Sequence, residues 1–138
     1  MNTYKFHELS VGLKAEFEAT VTLETLHRFR DVSGDENPLH LDKKYAQSRG
    51  FEGEVVYGLM IGAFYSRLWG MYLPGRNGML HSVDMRFAKP VFVNDKLLIS
   101  GEVTYVNDAF KQIEVSAKVL RNNKDEVSRA KIRGGLFE

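Results

Sequence analysis

The stretch VYGLMIGAFYSRLW, residues 56–69, places apolar side chains on nearly every side of a helix, with Leu59, Met60, Ile61, Ala63, Phe64, Leu68 and Trp69 sorted onto no single stripe. A helix with no face to offer water must be wrapped by other elements. It is not a bilayer span. The longest uncharged stretch, residues 55–66, falls well short of the ~20 apolar residues that crossing requires, and it contains two glycines, Gly58 and Gly62.

The wrapping is supplied by what surrounds it in the chain. After Leu73-Pro74-Gly75, four runs alternate with period two, over residues 80–87, 96–106, 112–120 and 126–134. The third run is the cleanest, with Ile113, Val115, Ala117 and Val119 opposed to Gln112, Glu114, Ser116 and Lys118. Ahead of the helix, residues 14–21 alternate in the same way, Ala15, Phe17, Ala19 and Val21 against Lys14, Glu16, Glu18 and Thr20. One strand, a buried helix and four successive antiparallel strands predict an α+β domain whose sheet curls around the helix. A length of 138 residues, 43% of them hydrophobic, suits one core, so residues 1–138 are expected to form a single domain.

Between strand and helix lies the segment that carries chemistry. Leu23, Leu26, Phe29 and Val32 recur at helical spacing, and Gly34 stands where a left-handed cap is needed. Asn37-Pro38 forces extended or turn geometry, and Asp42 is placed to cap a second short helix over residues 43–48. The segment Gly34-Asp35-Glu36-Asn37-Pro38-Leu39-His40 is therefore expected as a loop between helices. It presents two titratable groups five residues apart, and acid/base chemistry needs such a pair with different protonation states near neutrality. Asp35 and His40 are the candidates, converging on one water, with the Asn37 amide tying the loop down. An ordinary Gly-Asp turn beside a structural histidine would give the same two residues.

The order of the wider segment resembles that of the MaoC-like hydratases and dehydratases, a family that includes (R)-specific enoyl-CoA hydratases. The resemblance rests on Phe29, Ser33-Gly34-Asp35, Asn37-Pro38, His40 and Asp42. It extends through Val11-Gly12, Gly58-Leu59-Met60, Leu73-Pro74-Gly75, Phe87-Ala88-Lys89-Pro90-Val91 and Asn94-Asp95. It implies the hotdog fold, an antiparallel sheet around a long helix, and a homodimer or higher homo-oligomer. It implies reversible hydration of a trans-2-enoyl thioester to the (R)-3-hydroxyacyl thioester. Asp35 and His40 would hold the reacting water, Ser66 would support the Asp35 carboxylate, and the Gly58 N–H would polarise the thioester carbonyl. The acyl group would arrive on coenzyme A or an acyl carrier protein, with no cofactor beyond the coenzyme A of the substrate. Tyr57 departs from the pattern, because many members carry His before the helix glycine; the phenol keeps a hydrogen-bonding ring but does not titrate near neutrality.

Other candidates are weaker. His7, His27 and His81 share no ligand spacing with each other or with Asp35 or Asp84, so no metal site is expected. Arg129, Lys131 and Arg133 alternate on one strand face, where they either meet the phosphates of coenzyme A or form a solvated face. Phe64, Tyr65, Leu68 and Trp69 either line an acyl tunnel or fill the core. The glycines compose no dinucleotide fingerprint. A net charge of +1 gives no field that would imply nucleic acid or membrane partners, and the absence of cysteine with no apolar leader points to the cytoplasm. Because hotdog domains also serve as acyl-CoA thioesterases and non-catalytic acyl-CoA-binding proteins, the motif and not the fold favours the hydratase.

Overall fold

The computed structural model describes residues 1–137. Five antiparallel strands, β1 (Lys14–Thr20), β2 (Gly78–Phe87), β3 (Lys96–Asn107), β4 (Gln112–Arg121) and β5 (Asp125–Leu136), form one sheet in the order β1-β3-β4-β5-β2. Chain reversals at 108–111 and 122–124 join β3, β4 and β5 as a meander, with Lys111, Asn122 and Asn123 at positive φ. The edges are β1 and β2.

Four α-helices and a 3-10 turn at Phe6–Glu8 complete the described chain: α1 (Leu23–Ser33), α2 (Pro38–Leu41), α3 (Lys43–Ser48) and α4 (Gly58–Met71). The apolar helix α4 packs against β1 and β2 as well as β3 and β5. One helix touching both edges requires the sheet to curve around it, which is the hotdog arrangement. Tyr65 and Leu68 are wholly buried, as are Ile99, Val103, Val115, Val119 and Ile132 on the facing strands. Full burial of such side chains stabilises by about 1.5–3 kcal/mol each. Helix and sheet approach closely where side chains are absent. A Cβ on Gly101 would stand 2.7 Å from Leu68 Cδ2 and 3.0 Å from Val115 Cγ1.

One inward row crosses the whole sheet, pairing Phe17 with Ile99, Ile99 with Val119, Val119 with Ser128 and Ser128 with Phe87. Its polar member is satisfied: the Tyr65 hydroxyl donates to Ser128 Oγ at 2.8 Å, and Ser128 donates to the Arg86 carbonyl at 2.8 Å. Burial pushes the Tyr65 phenol up to about 12. The row ends at half-exposed Phe87 on the β2 edge, beside the first turn of α4.

Two caps fall where expected: Gly34 closes α1 at φ 71° with its N–H on the Arg30 carbonyl, and Asp42 accepts the Tyr45 N–H to open α3. At the start of α1 the structure adds a third, with Thr22 and Thr25 bonding reciprocally. Two expectations change. The 34–42 segment is not all loop, since Asn37 and Pro38 start the single turn of α2 and His40 sits on that turn. The long helix begins at Gly58 rather than Val56, because Val55 and Val56 are held extended by backbone pairing with Phe92 and Val91.

Candidate active site

The polar side chains of the 33–40 segment bond mainly to their own backbone. Ser33 Oγ accepts the Asp35 N–H at 3.2 Å, Asp35 Oδ1 accepts the Asn37 N–H at 2.9 Å, and Asn37 Oδ1 accepts the Leu39 N–H at 3.0 Å. These local turns order the exposed loop, and the Val55 N–H adds a longer-range bond to the Leu39 carbonyl at 3.1 Å. Among the described residues nothing donates to Asp35 Oδ2, so that oxygen stands free for chemistry.

His40 is anchored differently. Its Nδ1 lies 2.6 Å from the Val55 carbonyl. A carbonyl only accepts, so Nδ1 carries the proton and, in the neutral ring, Nε2 carries the lone pair. The imidazole is half-buried and stacks on Tyr57, ring centroids 4.0 Å apart at 30°. Tyr57 in turn packs on Phe29 at 5.0 Å and donates its hydroxyl to the Asp35 carbonyl oxygen at 2.7 Å. Burial, with the Asp35 charge as a smaller cause, raises the Tyr57 phenol above its ordinary value, so it remains a donor near neutrality.

His40 and Gly58 line one cavity of about 360 Å³, walled by Phe51, Val55, Ile61, Phe87, Pro90 and Val127. Apolar walls with a few convergent polar groups suit a small organic ligand. A larger hollow of about 690 Å³ lies on the outer sheet face among Lys14, Glu16, Glu102, Lys118 and Arg129, away from both residues. Tyr57 occupies the cap position of α4 without a side-chain cap bond, and the Met60 and Ile61 N–H groups return to the Tyr57 carbonyl. The Gly58 and Leu59 N–H groups have no acceptor among the described residues. They leave the positive end of the helix dipole open to a ligand oxygen. Gly58 is also where bulk is excluded, since a Cβ there would lie 3.3 Å from the Phe87 ring.

The cavity brings together His40 and Gly58; Asp35 does not line it and is linked to His40 through Tyr57, which bonds the Asp35 carbonyl and packs on the imidazole, while Asn37 serves its own turn. The structure does not bring Ser66 to Asp35: Ser66 is exposed two turns along α4, and no hydrogen bond links the two within the described chain. Arg129 pairs with Glu126, and Arg133 and Lys131 with Glu114, on the outer sheet face remote from this cavity. Tyr65, Leu68 and Trp69 are core, and half-buried Phe64 packs edge-on to Phe17. Sequence reasoning missed Phe87, the Leu59 N–H and the brace behind the 88–91 wall. In that brace Asp125 binds Lys89 at 2.8 Å and Arg121 at 3.0 Å, and Arg121 donates to the Pro90 carbonyl. The Phe87-to-Val91 segment had drawn notice only as an ordered motif.

The chain is similar over most of its length to proteins of one family. A model of the MaoC like domain matches residues 7–124. The (R)-specific enoyl-CoA hydratase of Aeromonas caviae is 34% identical over 100 residues, covering 72% of this chain and 75% of that protein. A mitochondrial 3-hydroxyacyl-[acyl-carrier-protein] dehydratase of Arabidopsis thaliana is 26% identical over 121 residues, covering 86% and 72%. In three dimensions the (R)-hydratase from A. caviae involved in PHA biosynthesis superposes with a TM-score of 0.89 at 27% identity, covering 94% of this chain and 98% of that one. With the family domain spanning most of its length, the chain belongs to the MaoC-like family and is a hotdog enzyme of the hydratase and dehydratase class.

Proposed function

We propose that this enzyme adds water reversibly across the double bond of a trans-2-enoyl thioester, giving the (R)-3-hydroxyacyl thioester. The observation that carries this reading is a single apolar cavity holding both His40, with Nε2 unoccupied, and the uncapped first turn of α4 at Gly58. The acyl chain lies among the apolar walls, and the thioester oxygen meets the Gly58 N–H. Charge that develops on that oxygen as the enolate forms is stabilised by an oriented donor at a helix N-terminus. Asp35 takes a proton from the water as its oxygen bonds to C3. His40 orients the same water by accepting its other O–H at Nε2, and the proton taken up by Asp35 passes to C2, so that one water supplies both the hydroxyl and the hydrogen. Dehydration runs the same steps backwards. Asn37 and Tyr57 hold the loop.

The activities for which the relatives are named support coenzyme A or an acyl carrier protein as the carrier. A homodimer is proposed as well, since β2 is an edge strand with open backbone groups, and exposed Leu59 and Phe87 flank it. A chain without cysteine suits the reducing cytoplasm.

The test is enoyl-thioester absorbance followed over a series of acyl lengths on coenzyme A, with chiral analysis of the product. Loss of the enoyl signal with formation of the (R) alcohol is expected. Release of free thiol without hydration would instead identify a thioesterase, and ligand-dependent thermal stabilisation without turnover of any substrate would identify a binding protein.

A further inference from the structure

Tyr57 makes contacts that neither an ordinary core residue nor a helix cap requires. It is 2% exposed, yet its hydroxyl is spent on the backbone carbonyl of Asp35, twenty-two residues earlier in the chain. Its ring face lies on the imidazole of His40, while its other aromatic neighbour is Phe29 from α1. Among the described residues, Asp35's own atoms are otherwise bonded only to Ser33 and Asn37, within two positions of it. His40 is otherwise held by the Val55 carbonyl at a single ring atom, about which the plane can tilt.

We infer that Tyr57 is a positioning residue that sets Asp35 and His40 relative to each other, its hydroxyl fixing the Asp35 backbone and its ring fixing the plane of the His40 imidazole. This rests on the acid/base reading given above. A tyrosine at the cap position offers no short capping oxygen, so Tyr57 also leaves the Gly58 and Leu59 N–H groups uncovered. One residue therefore orders the proton-transfer groups and keeps the carbonyl-binding end of the helix open. An imidazole in its place would keep a ring against His40, but its nitrogens end nearer the backbone than a phenol oxygen and would not reach the Asp35 carbonyl without movement of the loop.

The two contacts separate by substitution. Tyr57→Phe removes only the hydroxyl; because Asp35 is exposed, water can satisfy its carbonyl and the fold is retained. Tyr57→Leu removes the ring as well. Each is compared with the native protein by steady-state hydration of an enoyl-CoA and by nitrogen-15 NMR of histidine-labelled protein, which reports the tautomer of His40 without turnover. Tyr57→Phe is expected to lower kcat by about tenfold to a hundredfold with KM little changed, the scale of a small misplacement of reacting groups, and to keep the Nδ1-protonated signature. Tyr57→Leu is expected to lower kcat further and to mix the two His40 tautomers. Native kcat in Tyr57→Phe would overturn the hydroxyl's role, and a native His40 signature in Tyr57→Leu would overturn the ring's. Asp35→Asn and His40→Gln proteins run alongside keep the failures apart. If these remain active, the acid/base reading fails by itself, while the NMR comparison still decides whether Tyr57 holds His40.

Discussion

Adding one methyl group at Gly58 should separate stability from activity. The backbone there is not in the left-handed region, so alanine introduces no strain, and its Cβ would meet the Phe87 ring at 3.3–3.5 Å. That contact is a few tenths of an ångström too tight. Phe87 is 48% exposed on an edge strand, however, so its ring can yield. Against this small cost stands the helix preference of alanine over glycine, up to about 1 kcal/mol in a helix interior and less at a first position. The two terms nearly cancel, and Gly58→Ala should melt close to the native protein. Activity has no such compensation: alanine keeps its N–H, but a methyl wedged beside the Phe87 ring in the cavity crowds the thioester oxygen away from that donor. Complete loss of one oxyanion donor costs about 2.7–4 kcal/mol, or about 10²–10³ in kcat, which bounds the expected fall. Thermal unfolding beside steady-state hydration kinetics measures both. A Gly58→Ala protein with native kcat would contradict the assignment of that N–H, and one that unfolds far below the native protein would show that Phe87 cannot move.

The Tyr65–Ser128–Arg86 chain predicts an asymmetry in chemical denaturation. Ser128→Ala strands a buried Tyr65 hydroxyl and should cost about 1–3 kcal/mol, while Tyr65→Phe leaves Ser128 still donating to Arg86 and should cost about 1 kcal/mol. The reverse order would show the chain to be drawn in the wrong direction. Asp125 gives a pH signature: hydrogen bonds from Lys89 and then Arg121 hold its carboxyl down to about 2, from 3.8. A depressed carboxyl contributes stability above its unfolded value and loses it as pH falls through the folded one. Asp125→Asn should thus be less stable than native at neutral pH, with the gap closing between about pH 4 and pH 2; a gap constant over that window would refute the pairing.

What the sequence revealed and concealed follows from the range of the interactions. The strands were legible because Ile113, Val115, Ala117 and Val119 alternate against polar neighbours, and the caps at Gly34 and Asp42 because each acts within four residues of itself. Helix α2 escaped notice because four residues carry no period. The contacts that build the cavity link distant segments: Tyr57 to Asp35, His40 to Val55, and Phe87 to Gly58. No local pattern encodes such meetings. In the sequence Tyr57 stands out only as a departure from the family pattern, and it meets Asp35 and His40 because Val55 and Val56 run extended before the helix.

Turnover of crotonyl-CoA by the native, Asp35→Asn and His40→Gln proteins, each verified as folded, bears most directly on the acid/base pair. Both substitutions should lower kcat by about 10²–10⁴, the contribution typical of positioned acid/base groups. The residual product should remain the (R) alcohol, because the cavity walls and the Gly58 N–H still orient the thioester. Near-native turnover in either variant would contradict the account.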